Sequence, residues 1–273
     1  MLVNLDNARV LAGGQSLMPM MNMRHVALDH VVDLNPVSEL AGIKIDEEAL
    51  RIGAMTRQRD LLESSELAQR CPLIAEALGF VGHMQTRNRG TIGGSLAHMD
   101  PAAELPGVAA LLDARVTLTR DGGTREVSMA DFPLNYMTAD IEPDEILTRM
   151  SFNPWPLGHG WDFREFAQRH GDFAIVGVGS LMTVDGGGRI DRAAAVLVGV
   201  DDGPRRLSDV EPMLLGETPT LALFREAGDL ACRQPMLADT LASEVYRQHL
   251  ADVLVRRSLA SAAARAGGHA DAG

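Results

Sequence analysis

Apolar and polar positions along the chain change period several times, and each change predicts an element. Arg9 to Ala12 is a short apolar strand, Gly13-Gly14-Gln15-Ser16 interrupts it, and Leu17 to Arg24 follows with Pro19 where a first helical turn accepts proline. Val26 to Leu34 contains a buried strand. Ile43 to Ile45 and Leu50 to Ile52 alternate with period two on either side of an acidic turn, the pattern of a hairpin. Thr56 is expected to cap a helix running through Glu63, and Pro72 to Leu78 begins another that Gly79 ends. Ala102 to Leu112 is apolar enough for a buried helix. Val116 to Leu118 and Arg125 to Val127 flank Asp121-Gly122-Gly123 as a second hairpin, and Glu145 to Phe152 alternates as a strand.

Between Asn153 and Gly160, Pro154, Trp155, Pro156 and two glycines break any regular pattern, which places a domain boundary there. Beyond it, Ala174 to Val184 and Ile190 to Val200 are long apolar strands joined by Asp185-Gly-Gly-Gly188. The period then turns helical. Ser208 to Glu211 reads as a capping box, Leu221 to Cys232 as a helix, and Tyr246, Leu250, Val253 and Leu254 as an apolar helical stripe. The expected organisation is α+β: a first domain over 1–153, a smaller domain of antiparallel sheet and helices over 161–265, and a flexible tail over 266–273.

Composition narrows the function classes. The chain has 273 residues, 46% apolar and 23% charged, with a formal net charge of -12. That balance describes a folded globular protein and argues against nucleic-acid or anionic-membrane partners, which need clustered Lys and Arg. The two cysteines, Cys71 and Cys232, stand far apart and without metal-ligand spacing. No apolar run is long enough to span a bilayer, and no signal-peptide pattern opens the chain, so a cytoplasmic location is expected. GxxxxGK[ST], HExxH and GxSxG are all missing, which removes weight from P-loop, zinc-protease and serine-hydrolase chemistry. The methionines at 18, 20, 21 and 23 are read as adaptable packing.

The candidate chemistry lies in two glycine motifs. Thr86 to Pro106 holds Gly90, Gly93 and Gly94 with Thr91, Ser95 and two arginines, and reads as a phosphate-holding loop ahead of a helix. Gly13-Gly14 repeats the idea near the start. Together they suit opposite sides of one pyrophosphate, held by backbone N–H groups with little need for lysine. His98 beside the second motif is read as a hydrogen-bonding loop residue, and Asp100 before Pro101 as turn or cap chemistry.

Leu11 to Arg24 and Arg87 to Glu104 resemble the two FAD-binding signatures of the flavin (medium) subunits of molybdenum hydroxylases, the carbon monoxide dehydrogenase and xanthine dehydrogenase group. Phe166 to Gly177 and Tyr246 to Arg257 are similar to that family's C-terminal domain. The resemblance implies an FAD-binding fold of the vanillyl-alcohol-oxidase (PCMH) type followed by the smaller α+β domain. It implies that Ala12, Gly13, Gly14, Gln15, Ser16 and Leu17, with Gly90, Thr91, Ile92, Gly93, Gly94 and Ser95, hold the FAD pyrophosphate. By the same likeness His98 lies near the flavin and Glu104 bonds ribityl or ribose hydroxyls; Leu147 and Phe173 approach the isoalloxazine ring. Leu147 and Phe173 also read as plain core residues, and Glu104 as a favourable helix start. Relatives carry a further strand and helix before the first motif, so a shortened first domain is expected here.

The implied function is electron transfer. Iron-sulfur clusters in a small partner subunit would pass electrons from a molybdopterin centre in a large partner to FAD in this chain, and on to an external acceptor. Two other readings are open. A scaffold or assembly subunit with impaired FAD binding would show no flavin bands after reconstitution, and a free-standing flavin oxidase would turn over without partners.

Overall fold

In the computed structural model, which describes residues 2–46 and 48–267, the chain begins with a small parallel unit. Strand β1 (Ala8–Leu11) pairs in parallel with β2 (His30–Asp33), and helix α1 (Leu17–Asn22) connects them. The strand, glycine turn and helix expected over residues 9–24 are therefore present. The packing role expected of the methionines is met only in part: Met20 and Met21 are half-buried, whereas Met18 and Met23 are exposed, because two short strands offer too little surface to cover a helix.

The chain continues into the expected hairpin of β3 (Ile43–Ile45) and β4 (Leu50–Gly53). Six helices follow: α2 (Gln58–Glu63), α3 (Ser65–Arg70), α4 (Pro72–Leu78), α5 (Met84–Arg89), α6 (Ile92–His98) and α7 (Glu104–Leu111). Thr56 does not cap α2. It is buried, and its hydroxyl accepts from the Gly42 amide at 2.9 Å and donates to the Gly42 carbonyl at 3.1 Å, so a pull from the neighbouring backbone outweighs the helix start. Next come the hairpin β5 (Arg115–Arg120) and β6 (Gly123–Ser128), a small ribbon of β7 (Pro133–Asn135) and β8 (Thr138–Ala139), and β9 (Ile146–Phe152). Five of these strands form an antiparallel sheet in the order β3-β4-β9-β5-β6.

After the irregular residues 153–159, β10 (Gly160–Phe166), β11 (Val176–Val184), β12 (Ile190–Val198) and β13 (Arg205–Arg206) build an antiparallel meander in chain order. Helices α8 (Glu211–Leu214), α9 (Leu221–Ala231) and α10 (Glu244–Ala266) complete it. With helices packed on antiparallel sheets the chain is α+β, as expected. The Ser208–Glu211 capping box does not form, because the Glu211 carboxylate accepts from Arg206 and from the Ala195 amide instead. On α10 the buried stripe runs through Arg247, Ala251, Leu254, Ser258 and Ala262, while Tyr246 is exposed against Phe166. The tail expected over 266–273 lies outside the described residues from 268 onward.

The second sheet is covered on both faces, which explains why β11 and β12 read as nearly continuous apolar runs. Val176, Val178, Met182, Ala195 and Leu197 pack with α9 and α10. Leu181, Ala194, Val196 and Val198 join the core that contains Leu105, Val108 and Leu111 of α7. Every residue of α7 is buried, and Gly107 lets it close on β12, since a Cβ there would lie 2.4 Å from Val198 Cγ1. A polar clasp ties the two halves: Glu76 of α4 accepts from Trp161 Nε1 at 2.8 Å, the Phe163 amide at 3.1 Å and Arg265 Nη1 at 2.6 Å.

Candidate functional site

The first glycine motif is a turn that leaves its amides free. Gly14 sits at φ +74°, a conformation that side-chain-bearing residues rarely adopt, and so bends β1 toward α1. Among the described residues, the amides of Gly13, Gly14, Gln15, Ser16 and Leu17 donate to no protein acceptor. Five consecutive unengaged donors on a turn are the chemistry an anion needs.

The second motif lies directly against it. A Cβ on Gly13 would stand 2.3 Å from the Arg89 carbonyl oxygen and 2.8 Å from Gly90 Cα, and one on Gly94 would stand 3.5 Å from Ala12 Cβ. The structure thus brings Ala12–Leu17 and Gly90–Ser95 together, with glycine required where backbone meets backbone. Its local form differs from the expected loop, because Gly93 and Gly94 are already inside the first turn of α6. Thr91 caps that helix by accepting from the Gly94 amide at 3.0 Å. The Ile92 amide donates to Thr56 O, Gly93 to Ala54 O and Ser95 to Thr91 O. Two of these donors are engaged because the helix start is zipped onto Ala54 and Thr56 and the others because Thr91 opens the helix, so unengaged amides for an anion are concentrated in the first motif. Gly93 is needed for that zipping: its Cβ would fall 2.4 Å from Ala54 Cβ.

His98 ends α6, and burial holds its imidazole below the ordinary range against the opposing pull of Asp100. Asp100 makes the expected turn, its carboxylate accepting from the Ala102 amide at 2.9 Å. Glu104 opens α7 and is only 5% exposed. Burial pushes its carboxyl up to about 8, with the charges of Glu165 and Asp100 adding to the rise. Glu165 on β10 is pushed up to about 7 by burial, and its Oε2 is buried without a partner. Two carboxyl groups without a cation, meeting where the two halves join, match the hydroxyl donors of a polyol.

Leu147 is 6% exposed on β9, opposite Leu118 of β5 within the core. Phe173 stands apart at 59% exposure in the segment between β10 and β11, which rests at Gly171 on His83 and Gly82. Three neighbours of the site were not singled out by sequence patterns: Asn35, Arg57 and Glu165. Asn35 Nδ2 donates to the Ala12 carbonyl at 3.0 Å, and Arg57 donates to both Asn35 Oδ1 and the Arg89 carbonyl. Sequence patterns do not mark these three side chains, since what makes them neighbours of the site, the Ala12 and Arg89 carbonyls and Glu104, is distant in the chain.

A dinucleotide suits this arrangement: free amides for its diphosphate, glycines that let the two motifs close on each other, and buried carboxyl groups for its sugar hydroxyls. Comparison with known proteins agrees. Residues 1–155 match the family model described as FAD binding domain in molybdopterin dehydrogenase, and residues 161–262 match the CO dehydrogenase flavoprotein C-terminal domain. The chain is 37% identical over 262 residues to 6-hydroxypseudooxynicotine dehydrogenase complex subunit alpha of Paenarthrobacter nicotinovorans, covering 96% of this chain and 88% of that one. It is 33% identical over 262 residues to the carbon monoxide dehydrogenase medium chain of Hydrogenophaga pseudoflava, covering 95% and 91%. A solved structure of carbon monoxide dehydrogenase from Hydrogenophaga pseudoflava superposes with a TM-score of 0.93 at 33% identity, over 97% of this chain and 92% of that one.

Proposed function

Because the chain belongs to the family of FAD-binding medium subunits of molybdenum hydroxylases, we propose that it is the electron-transfer subunit of such a complex. It would receive electrons from iron-sulfur clusters of a small partner subunit, downstream of a molybdopterin-bearing large subunit, and release them to an external acceptor. When bound, FAD supplies the redox chemistry, and the protein binds, orients and shields it.

The observation that carries the reading is the row of five unengaged amides from Gly13 to Leu17, packed against Gly90. In this reading these amides hold the diphosphate, while Gly90–Ser95 forms the close wall on its other side. Glu104 accepts from ribityl or ribose hydroxyls, and because its carboxyl is mostly protonated near neutral pH it also donates. His98, kept neutral by burial, lies toward the ring. Leu147 supports the ring from the first sheet, and Phe173 reaches it from the second half. The names of the relatives, a complex subunit and a medium chain, support assembly with partners. Two unpaired cysteines accord with a cytoplasmic complex.

Titrating the purified chain with FAD while recording its visible spectrum tests the proposal. The expected outcome is one bound flavin per chain, competed by ADP, together with recovery of an iron-sulfur and a molybdopterin subunit on a tagged bait. Unshifted flavin bands at saturating FAD would refute it, and turnover by the chain alone would replace it with a free-standing oxidase.

A further inference from the structure

The two glycine motifs come from segments some eighty residues apart, and neither carries a side chain that fixes its distance to the other. The bridge is built elsewhere. Asn35, just after β2, donates through Nδ2 to the carbonyl of Ala12, the residue that enters the first motif, at 3.0 Å. Its Oδ1 accepts from Arg57, whose other terminal nitrogen donates to the carbonyl of Arg89, the residue that enters the second. That carbonyl is the one Gly13 touches. Without a donor its oxygen would be an unpaired acceptor, with its partial negative charge turned toward the first motif.

From this bridge we infer that Arg57, acting through Asn35, is the positioning residue that sets the spacing of the two glycine motifs and so pre-organises the diphosphate cradle. The inference rests on the FAD reading above and goes beyond it by assigning cradle geometry to two side chains outside both motifs. Arg57 suits the role because a guanidinium holds its two terminal nitrogens in a fixed fork, one turned to each acceptor. The segment around it is itself anchored: the Gln58 amide donates to Gly90 O at 2.9 Å and the Ile92 amide to Thr56 O at 3.2 Å. Arg57 gives one N–H from each terminal nitrogen to a protein acceptor, and in this inference it acts on the cofactor by holding the two motifs in register.

The test uses the full chain stripped of flavin, titrated with FAD and followed by flavin fluorescence. Arg57→Ala is expected to weaken FAD binding about 10- to 100-fold, the range for loss of charge-assisted hydrogen bonds. Asn35→Ala is expected to fall in the same range. The double variant should lose no more than either single variant, because the two residues form one connection. Arg57→Lys should recover part of the loss, as an ammonium reaches one acceptor but lacks the fork. The losses should persist from about 0.05 to 0.5 M salt, since screening weakens charges and not geometry. Arg57→Ala binding within about twofold of the parent, multiplying losses in the double variant, or a loss that vanishes at high salt would each overturn the inference. Should Arg57→Ala fail to fold by circular dichroism, Asn35→Ala decides, since it keeps the arginine and its bond to the Arg89 carbonyl while removing the contacts of Asn35 with Ala12, Arg57 and Asp33. Failure of the unmodified chain to bind FAD would instead overturn the parent reading.

Discussion

At the scale of single residues, burial holds Glu104 far from its ordinary chemistry. Its carboxyl is raised from 4.5 to about 8 by burial, with Glu165 of β10 and Asp100 facing it and only its own amide opposing. The folded chain therefore binds a proton at pH values where the unfolded chain has released it. This contribution to stability is complete below about 4.5 and is lost as pH rises through about 8, with Glu165 acting in the same sense up to about 7. Thermal melts of the flavin-free chain should show Tm falling between about pH 5 and 8, by an amount corresponding to a few kcal/mol at about 1.4 kcal/mol per pKa unit. Glu104→Gln, which keeps shape and removes titration, should flatten that slope; a slope unchanged by the substitution would show that Glu104 does not titrate as its burial requires.

Among the elements, the contact between the turn after β1 and the start of α6 is the one that tolerates least. Gly13→Ala puts a methyl carbon 2.3 Å from the Arg89 carbonyl oxygen, and backbone on both sides leaves nowhere for it to go. Such overpacking costs about 1–3 kcal/mol, and the motifs should separate, with FAD affinity falling at least about tenfold. A melt and a flavin titration read the two effects, and parent-like affinity in this variant would show the contact to be dispensable. The element scale also shows what was legible in the sequence and why. The β5/β6 hairpin, the buried α7 and the β11/β12 pair were readable because their apolar period is local and strong. Strand β10 was not, since Asp162, Arg164 and Glu165 break its apolar pattern, and the burial of Asp162 and part-burial of the other two come from neighbouring elements. The start of α6 was misread because a Gly-Gly pair signals a turn, while the zipping onto Ala54 and Thr56 that makes it helical comes from forty residues away. Both glycine motifs were visible because backbone chemistry there depends on the residues themselves. Arg57 and Asn35 stayed hidden, as their partners are set by the fold.

For the whole molecule, the relation between the two halves rests on the core shared by α7 and β12 and on the Glu76 clasp. Removing the clasp with Glu76→Ala leaves the Trp161 indole N–H, the Phe163 amide and Arg265 without their shared acceptor. A loss of about 1.5–3 kcal/mol is expected in denaturant unfolding, accompanied by a red shift of tryptophan emission as Trp161 loosens. Unchanged emission and midpoint would show the apolar core alone to hold the halves. The opposite end of the chain is built very differently. The unengaged amides sit on a two-stranded parallel unit whose helix has no fully buried residue, so few apolar contacts resist its opening. A ligand that binds only the closed form then acts as the missing core of that unit, adding about 2.7 kcal/mol at a hundredfold excess over its dissociation constant. Under the proposed reading, flavin loading and the folding of this unit are coupled, and amide hydrogen exchange in β1 and α1 should slow as FAD is added.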